Sequence, residues 1–159
     1  MKIREATAAD LETIAMLVST ANRDVAIKFG LNADNCAKHP SFCTADWVAA
    51  DLARGERYFI AEDDGVAIAC VAYETPKSDL AYLNRLSVLP AHRRRGVGEQ
   101  LVAHIVALAR SAAIKTISIG VIGEHLELQR WYAKLGFAPG ENRRFDHLPF
   151  TVTYMSYAP

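Results

Sequence analysis

Three consecutive arginines, Arg93, Arg94 and Arg95, run into the closely spaced glycines Gly96 and Gly98, and a helical pattern starts at once in Gln100-Leu101-Val102-Ala103-His104-Ile105-Val106. Before them stands an apolar stretch, Leu83 to Leu89, closed by Pro90. The first turn of a helix has free N–H groups and the positive end of the macrodipole, so it attracts anions. Glycines there let a phosphate approach the backbone that side chains would otherwise shield. Cationic side chains beside such a nest suit a ligand with more than one phosphate. Arg93 to Glu99, with Val97 between the glycines, therefore predicts a pyrophosphate site at a strand-to-helix turn.

About 35 residues further on lies Gln129-Arg130-Trp131-Tyr132-Ala133-Lys134-Leu135-Gly136-Phe137. A tyrosine in an amphipathic helix is commonly a packing residue. It is also a proton donor, because a phenol with a pKa of about 10 stays protonated at neutral pH and can hydrogen-bond a thiolate. The two segments together resemble the GCN5-related N-acetyltransferases. Arg93-x-x-Gly96-x-Gly98 is similar to that family's Q/R-x-x-G-x-G/A motif, and the second segment to its Y-x-K-x-G-F element.

The resemblance implies an acetyl-CoA-dependent N-acetyltransferase acting on a primary amine of a small molecule or peptide, by direct attack in a ternary complex. Acetyl-CoA is then the co-substrate, and no metal is needed. In that family the strand before the loop carries a bulge and parts from the next parallel strand, and the pantetheine lies in the gap. By position, the backbone of Leu86 and Val88 takes this role, and Tyr132 protonates the leaving sulfur. Two positions depart from the family pattern. His125, next to Glu124, stands where many relatives have an asparagine that bonds the pantetheine. Asn84 stands where many have a glutamate that deprotonates the amine, and an amide cannot act as a base. Glu74, Glu124, His125, His147 or solvent are the substitutes. The alternative from another class is a catalytically silent acyl-CoA-binding module, for which Asn84 speaks and against which Tyr132 speaks.

The elements that must position these residues can be read in outline. Lys2 to Glu5 predicts a first strand. Thr7, with Asp10 three residues on, predicts a capped helix carrying the stripe Leu11, Ile14, Ala15, Leu17 and Val18. The pattern dissolves from Thr20 to Cys43, and Thr44 caps a second helix to about Arg54. Tyr58 to Glu62 and Val66 to Glu74 predict a hairpin around Asp63-Asp64-Gly65. A strand over Leu80 to Val88, a helix over Val97 to Ala112, a strand over Thr116 to Val121 and a helix from about His125 to Leu135 follow. Gly136 ends that helix as a left-handed cap, and Phe150 to Tyr157 is a last strand. The order β-α-α-β-β-β-α-β-α-β-β reads as α/β or α+β. The resemblance makes it a mixed, largely antiparallel central sheet flanked by helices. Ala21 to Cys43 and Phe145 to Phe150 are expected to build the acceptor site, with Phe29, His39, Phe42, Phe145 and Phe150 either as its wall or simply closing the small core, and Asp34, Asp46 or Asp146 for a cationic amine.

Composition sets the outer bounds. The chain has 159 residues, 51% hydrophobic and 23% charged, which predicts one folded domain, and the resemblance makes it a single N-acetyltransferase domain over residues 1–159. Formal net charge is zero, so there is no global electrostatic case for nucleic acid or a membrane surface. Arg143-Arg144 reads as a solvated turn. Cys36, Cys43 and Cys70 form no C-x-x-C pair, which supports neither a disulfide framework nor a zinc site. Cys70 reads as a small buried hydrophobe. Without an apolar leader or spanning segment, a cytoplasmic enzyme is expected, and a homodimer is compatible with it.

Overall fold

The computed structural model describes residues 1–159. Seven strands form one sheet: β1 (Lys2–Glu5), β2 (Arg57–Asp63), β3 (Val66–Lys77), β4 (Leu80–Val88), β5 (Thr116–Ile122), β6 (Ala138–Arg144) and β7 (Thr151–Tyr157). Five helices accompany them: α1 (Leu11–Ala21), α2 (Arg23–Lys28), α3 (Ala45–Arg54), α4 (Val97–Ser111) and α5 (Leu126–Lys134). The strand order is β1-β2-β3-β4-β5-β7-β6, and only β4 and β5 run parallel. This is the mixed, largely antiparallel sheet expected.

Local chemistry explains the element ends. Thr7 and Asp10 form a reciprocal capping box on the single 3-10 turn that leads into α1. Thr44 Oγ1 accepts from the Trp47 N–H at the start of α3. Asp64 and Gly65, both with positive φ, make the two-residue hairpin turn between β2 and β3. Gly136, at φ +104°, follows α5, and a Cβ there would stand 2.7 Å from the Tyr157 ring. Two elements escape the sequence pattern. Helix α2, only six residues long, buries Ala26 alone and so shows no stripe. Strand β6 is exposed throughout, with Pro139 and Gly140 in it, and so has no alternation to read.

The core lies on both faces of the sheet. Ile105, Leu101, Val71, Leu83, Ile117 and Ile119 pack between α4 and the sheet. Ile14, Leu17, Val18 and Val48 cover Tyr58, Ile60 and Cys70 on the other face. Helices α1 and α3 thus cover the β2–β3 half of that second face. A third, smaller cluster of Ala26, Leu31 and Cys36 is packed by Phe29, Ile122, Leu148 and Phe150. It joins the irregular segment after α1 to the β6–β7 loop. Arg143 and Arg144 lie on exposed β6 rather than in a turn. No helix is long and apolar enough to cross a membrane.

Candidate active site

Strands β4 and β5 pair only from Leu80 with Thr116 to Tyr82 with Ser118. Beyond Tyr82 the backbone of β4, including Leu86 and Val88, has no strand partner on that side. The register of β4 against β3 also shifts between Asn84 and Ser87, where Arg85 has φ +51°. A non-glycine residue in the left-handed region costs about 1–2 kcal/mol and persists only when its surroundings hold it there. Here the holding groups are plain. Arg85 donates to Asp51, to which it is salt-bridged, and to the Tyr58 hydroxyl at 2.8 Å. Tyr58 in turn donates to Asp51 at 2.7 Å, and the guanidinium lies 5.8 Å from the Trp47 ring centre. The bulge opens a cleft of about 670 Å³.

The arginine–glycine loop leads from this strand into α4. Gly96, at φ +78°, is the N-cap residue, and no side chain caps the helix. The first-turn N–H groups of Val97, Gly98 and Glu99 are thus left to an outside anion. Gly98 serves a different purpose: a Cβ there would stand 3.1 Å from the Trp131 ring, so the glycine lets α4 and α5 approach. Trp131 also donates to Glu99 at 3.1 Å. Of the three arginines, Arg94 and Arg95 are exposed at the loop. Arg93 instead folds back, donating to Val88 O at 3.1 Å, Ala21 O at 2.7 Å and Asp24 at 2.7 Å. Its guanidinium fastens the end of β4 to α1 and α2.

Helix α5 supplies the opposite wall. Gln129 pins its start by donating to Gly123 O at 2.8 Å. Tyr132 is 5% exposed and stacks edge-on with Trp131 and Phe137 at 4.9 and 5.3 Å. It lines the cleft, and burial pushes its phenol well above the ordinary range. His125 also lines the cleft, 5.3 Å from the Phe29 ring, with a buried Nδ1 that has no hydrogen-bond partner in the protein. Burial first, then Lys28, holds its imidazole below the usual value, so it is neutral near pH 7. An orphaned buried nitrogen beside an open strand is chemistry that fits a hydrogen-bonding ligand.

Among the substitutes for a base, only His125 reaches the cleft. Glu74 is held by Arg54 at 3.0 Å, and Glu124 is exposed and accepts from the Thr151 N–H. His147 is exposed and stacks on Phe145. Asn84 does line the cleft, and its Nδ2 donates to the buried Glu56 at 2.8 Å. Sequence reasoning overlooked that glutamate, as it did Asn22, Tyr82 and Tyr154 in the cleft wall. None of them belongs to a local motif. Of the expected wall, His39 and Phe150 line the cleft, but Phe29, Phe42, Phe145, Asp34, Asp46 and Asp146 do not, and Phe29 instead packs against the small cluster of Ala26, Leu31 and Cys36. A second, shallow hollow of about 510 Å³ between α1 and the start of α3 has Asp46 in its lining and shares no residue with the cleft.

A model of the Acetyltransferase (GNAT) family matches residues 8–137. The chain belongs to this family. Amino-acid acetyltransferases are similar to part of it: that of Ectopseudomonas mendocina is 34% identical over 90 residues, 56% of this chain and 20% of that protein. That of Azotobacter vinelandii is 34% identical over 84 residues, 52% of this chain and 18% of that protein. The chain thus spans about a fifth of the length of these curated relatives. Two solved structures share the GNAT fold along its whole length. The ribosomal-protein-alanine N-acetyltransferase of Brucella melitensis has TM-score 0.72 at 18% identity, covering 100% of both chains. A GNAT family acetyltransferase of Elizabethkingia anophelis with acetyl-CoA bound has TM-score 0.70 at 14% identity, covering 99% of this chain and 97% of that one.

Proposed function

We propose that this GNAT protein transfers the acetyl group of acetyl-CoA to a primary amine in a ternary complex. The observation that carries the reading is that the β4 edge freed by the bulge and Tyr132 line one cleft, while the same strand leads on into the uncapped start of α4. The first-turn N–H groups from Val97 to Glu99, behind Gly96, would hold the pyrophosphate, with Arg94 and Arg95 as cations and Arg93 keeping the loop in place. The backbone of Leu86 and Val88 would bond the pantetheine as a further strand, and one of those N–H groups would polarise the thioester carbonyl. His125 would hydrogen-bond the arm. The amine nitrogen attacks the carbonyl carbon, the carbon–sulfur bond breaks, Tyr132 gives its proton to the departing sulfur, and the nitrogen loses its surplus proton to solvent, from which Tyr132 is reprotonated. A phenol held above its usual value stays protonated and can hydrogen-bond the leaving sulfur, and it is the presence of Tyr132 at this position that speaks against a silent acyl-CoA-binding module.

Thermal shift with acetyl-CoA and a CoA-release assay test this reading. Acetyl-CoA should stabilise the protein, and a CoA analogue without its phosphates should do so much less. Gly96→Val should lose that protection while keeping the far-ultraviolet circular dichroism of the parent. Equal protection of the variant would remove the pyrophosphate assignment. Three free cysteines, Cys36, Cys43 and Cys70, suit a reducing compartment such as the cytoplasm, and cell fractionation tests that location. Light scattering tests the homodimer.

A further inference from the structure

The acceptor side of the cleft is lined by uncharged side chains, and the nearby carboxylates are already engaged. On β5 and β7 the residues facing away from α4 alternate with buried Ile117, Ile119 and Met155. They are Ser118, Gly120, Val152 and Tyr154, and together with Tyr82 and Phe150 they make a wall of small and aromatic side chains. No aspartate or glutamate lines the cleft. Four carboxylates on the surrounding elements are each held by an arginine: Asp24 by Arg93, Asp51 by Arg85, and Glu56 and Glu74 both by Arg54. Arg85 is the one arginine or lysine in the lining, and Asp51 neutralises it. His39 and His125 are both held below the ordinary imidazole value by burial and carry no charge near pH 7.

This lining bears on the acceptor class. A polyamine or aminoglycoside brings several cations, and a desolvated cation without a partner is costly. A free amino acid brings a carboxylate that needs an uncommitted cation. The cleft offers neither partner. Resting on the acetyl-transfer reading above, we propose that the acceptor is a small primary monoamine on a neutral aromatic or apolar skeleton. Such a cleft disfavours the ammonium form of the incoming amine and lowers its pKa. The proton then leaves to solvent, which accounts for an asparagine at position 84 where a base would otherwise stand.

The test uses the full chain, first assayed for acetyl-CoA binding by thermal shift. CoA release is then measured with 2-phenylethylamine, spermidine, L-glutamate and a neutral tripeptide with a free N-terminus. The expected kcat/KM for 2-phenylethylamine exceeds the others by about tenfold or more. Ser118→Asp should shift the ratio toward spermidine, and Tyr154→Ala should raise the amine KM while leaving that of acetyl-CoA unchanged. Preference for another probe, equal rates with all, or no acetylation of 2-phenylethylamine by protein that binds acetyl-CoA overturns the proposal. Failure to bind acetyl-CoA overturns the acetyl-transfer reading instead.

Discussion

Tyr132 combines two properties that seldom coincide in a packing residue. Its ring is clamped edge-on by Trp131 and Phe137, yet its hydroxyl takes no hydrogen bond from the protein, and the residue lines the cleft. The clamp sets the direction of the phenol at little further entropic cost when a ligand arrives. Tyr132→Phe keeps the clamp and removes only the donor. Acetyl-CoA affinity should stay within about twofold, while kcat at saturation falls by about 10²-fold, the low end for a positioned general acid, because a thiolate leaves readily by itself. Parent-like turnover with chemistry rate-limiting would make Tyr132 a packing residue. The glycines teach a related lesson. Both are legible as a motif, but Gly96 answers to backbone conformation and Gly98 to the Trp131 ring 3.1 Å from where its Cβ would be.

Strand β4 is the element on which the site depends, because its bulge both frees the backbone and places Arg85 in the left-handed region. Asp51 on α3 is the counterweight: it meets Arg85, Tyr58 and Arg54 together. Removing its charge leaves Arg85 part-buried and unpaired. Breaking a buried pair costs about 3–5 kcal/mol, and the partial exposure of Arg85 argues for the low end. Asp51→Asn should therefore lower unfolding stability by about 3 kcal/mol in urea titration. It should also raise the KM for acetyl-CoA, since the bulge loses its anchor. A variant of parental stability would show that backbone pairing with β3 alone holds the bulge. The helix-to-strand distance in sequence hides this device: Asp51, Tyr58 and Arg85 share no motif.

At the scale of the whole molecule, zero formal charge leaves stability to individual buried groups. His39, His104 and His125 all have imidazoles held down chiefly by burial. Each lowered value means that the folded chain binds fewer protons than the unfolded one as pH drops below about 6.5. Their contribution is complete above that pH and declines on acidification through it. Asp10 works in a different window. Its hydrogen bond with Arg4 chiefly pulls it down to about 2, so its contribution is intact above the ordinary carboxylate range and is lost as pH falls toward about 2. Melting followed by circular dichroism should give a Tm that declines modestly from about pH 7 to 5 and steeply below about pH 4. A Tm flat from pH 7 to 5 would mean that the histidines titrate alike in both states.

The sequence by itself determined what depends on neighbours along the chain. The Thr7–Asp10 cap, the Asp64-Gly65 turn, the α1 stripe and the Gly96 nest are set by residues within a few positions of one another, where backbone sterics and hydrogen-bond reach act directly. The family likeness rested on such segments, and so did the placing of Tyr132. Tertiary structure alone decided what depends on residues brought together from afar. Arg93 turned from the loop to Asp24, Glu56 took hold of Asn84, and Arg85 closed on Asp51. Each pairing spends a charge that composition counts as free. Whether a carboxylate or arginine can meet a substrate is therefore a question of which partner has already claimed it, and only the packed sheet and helices answer that.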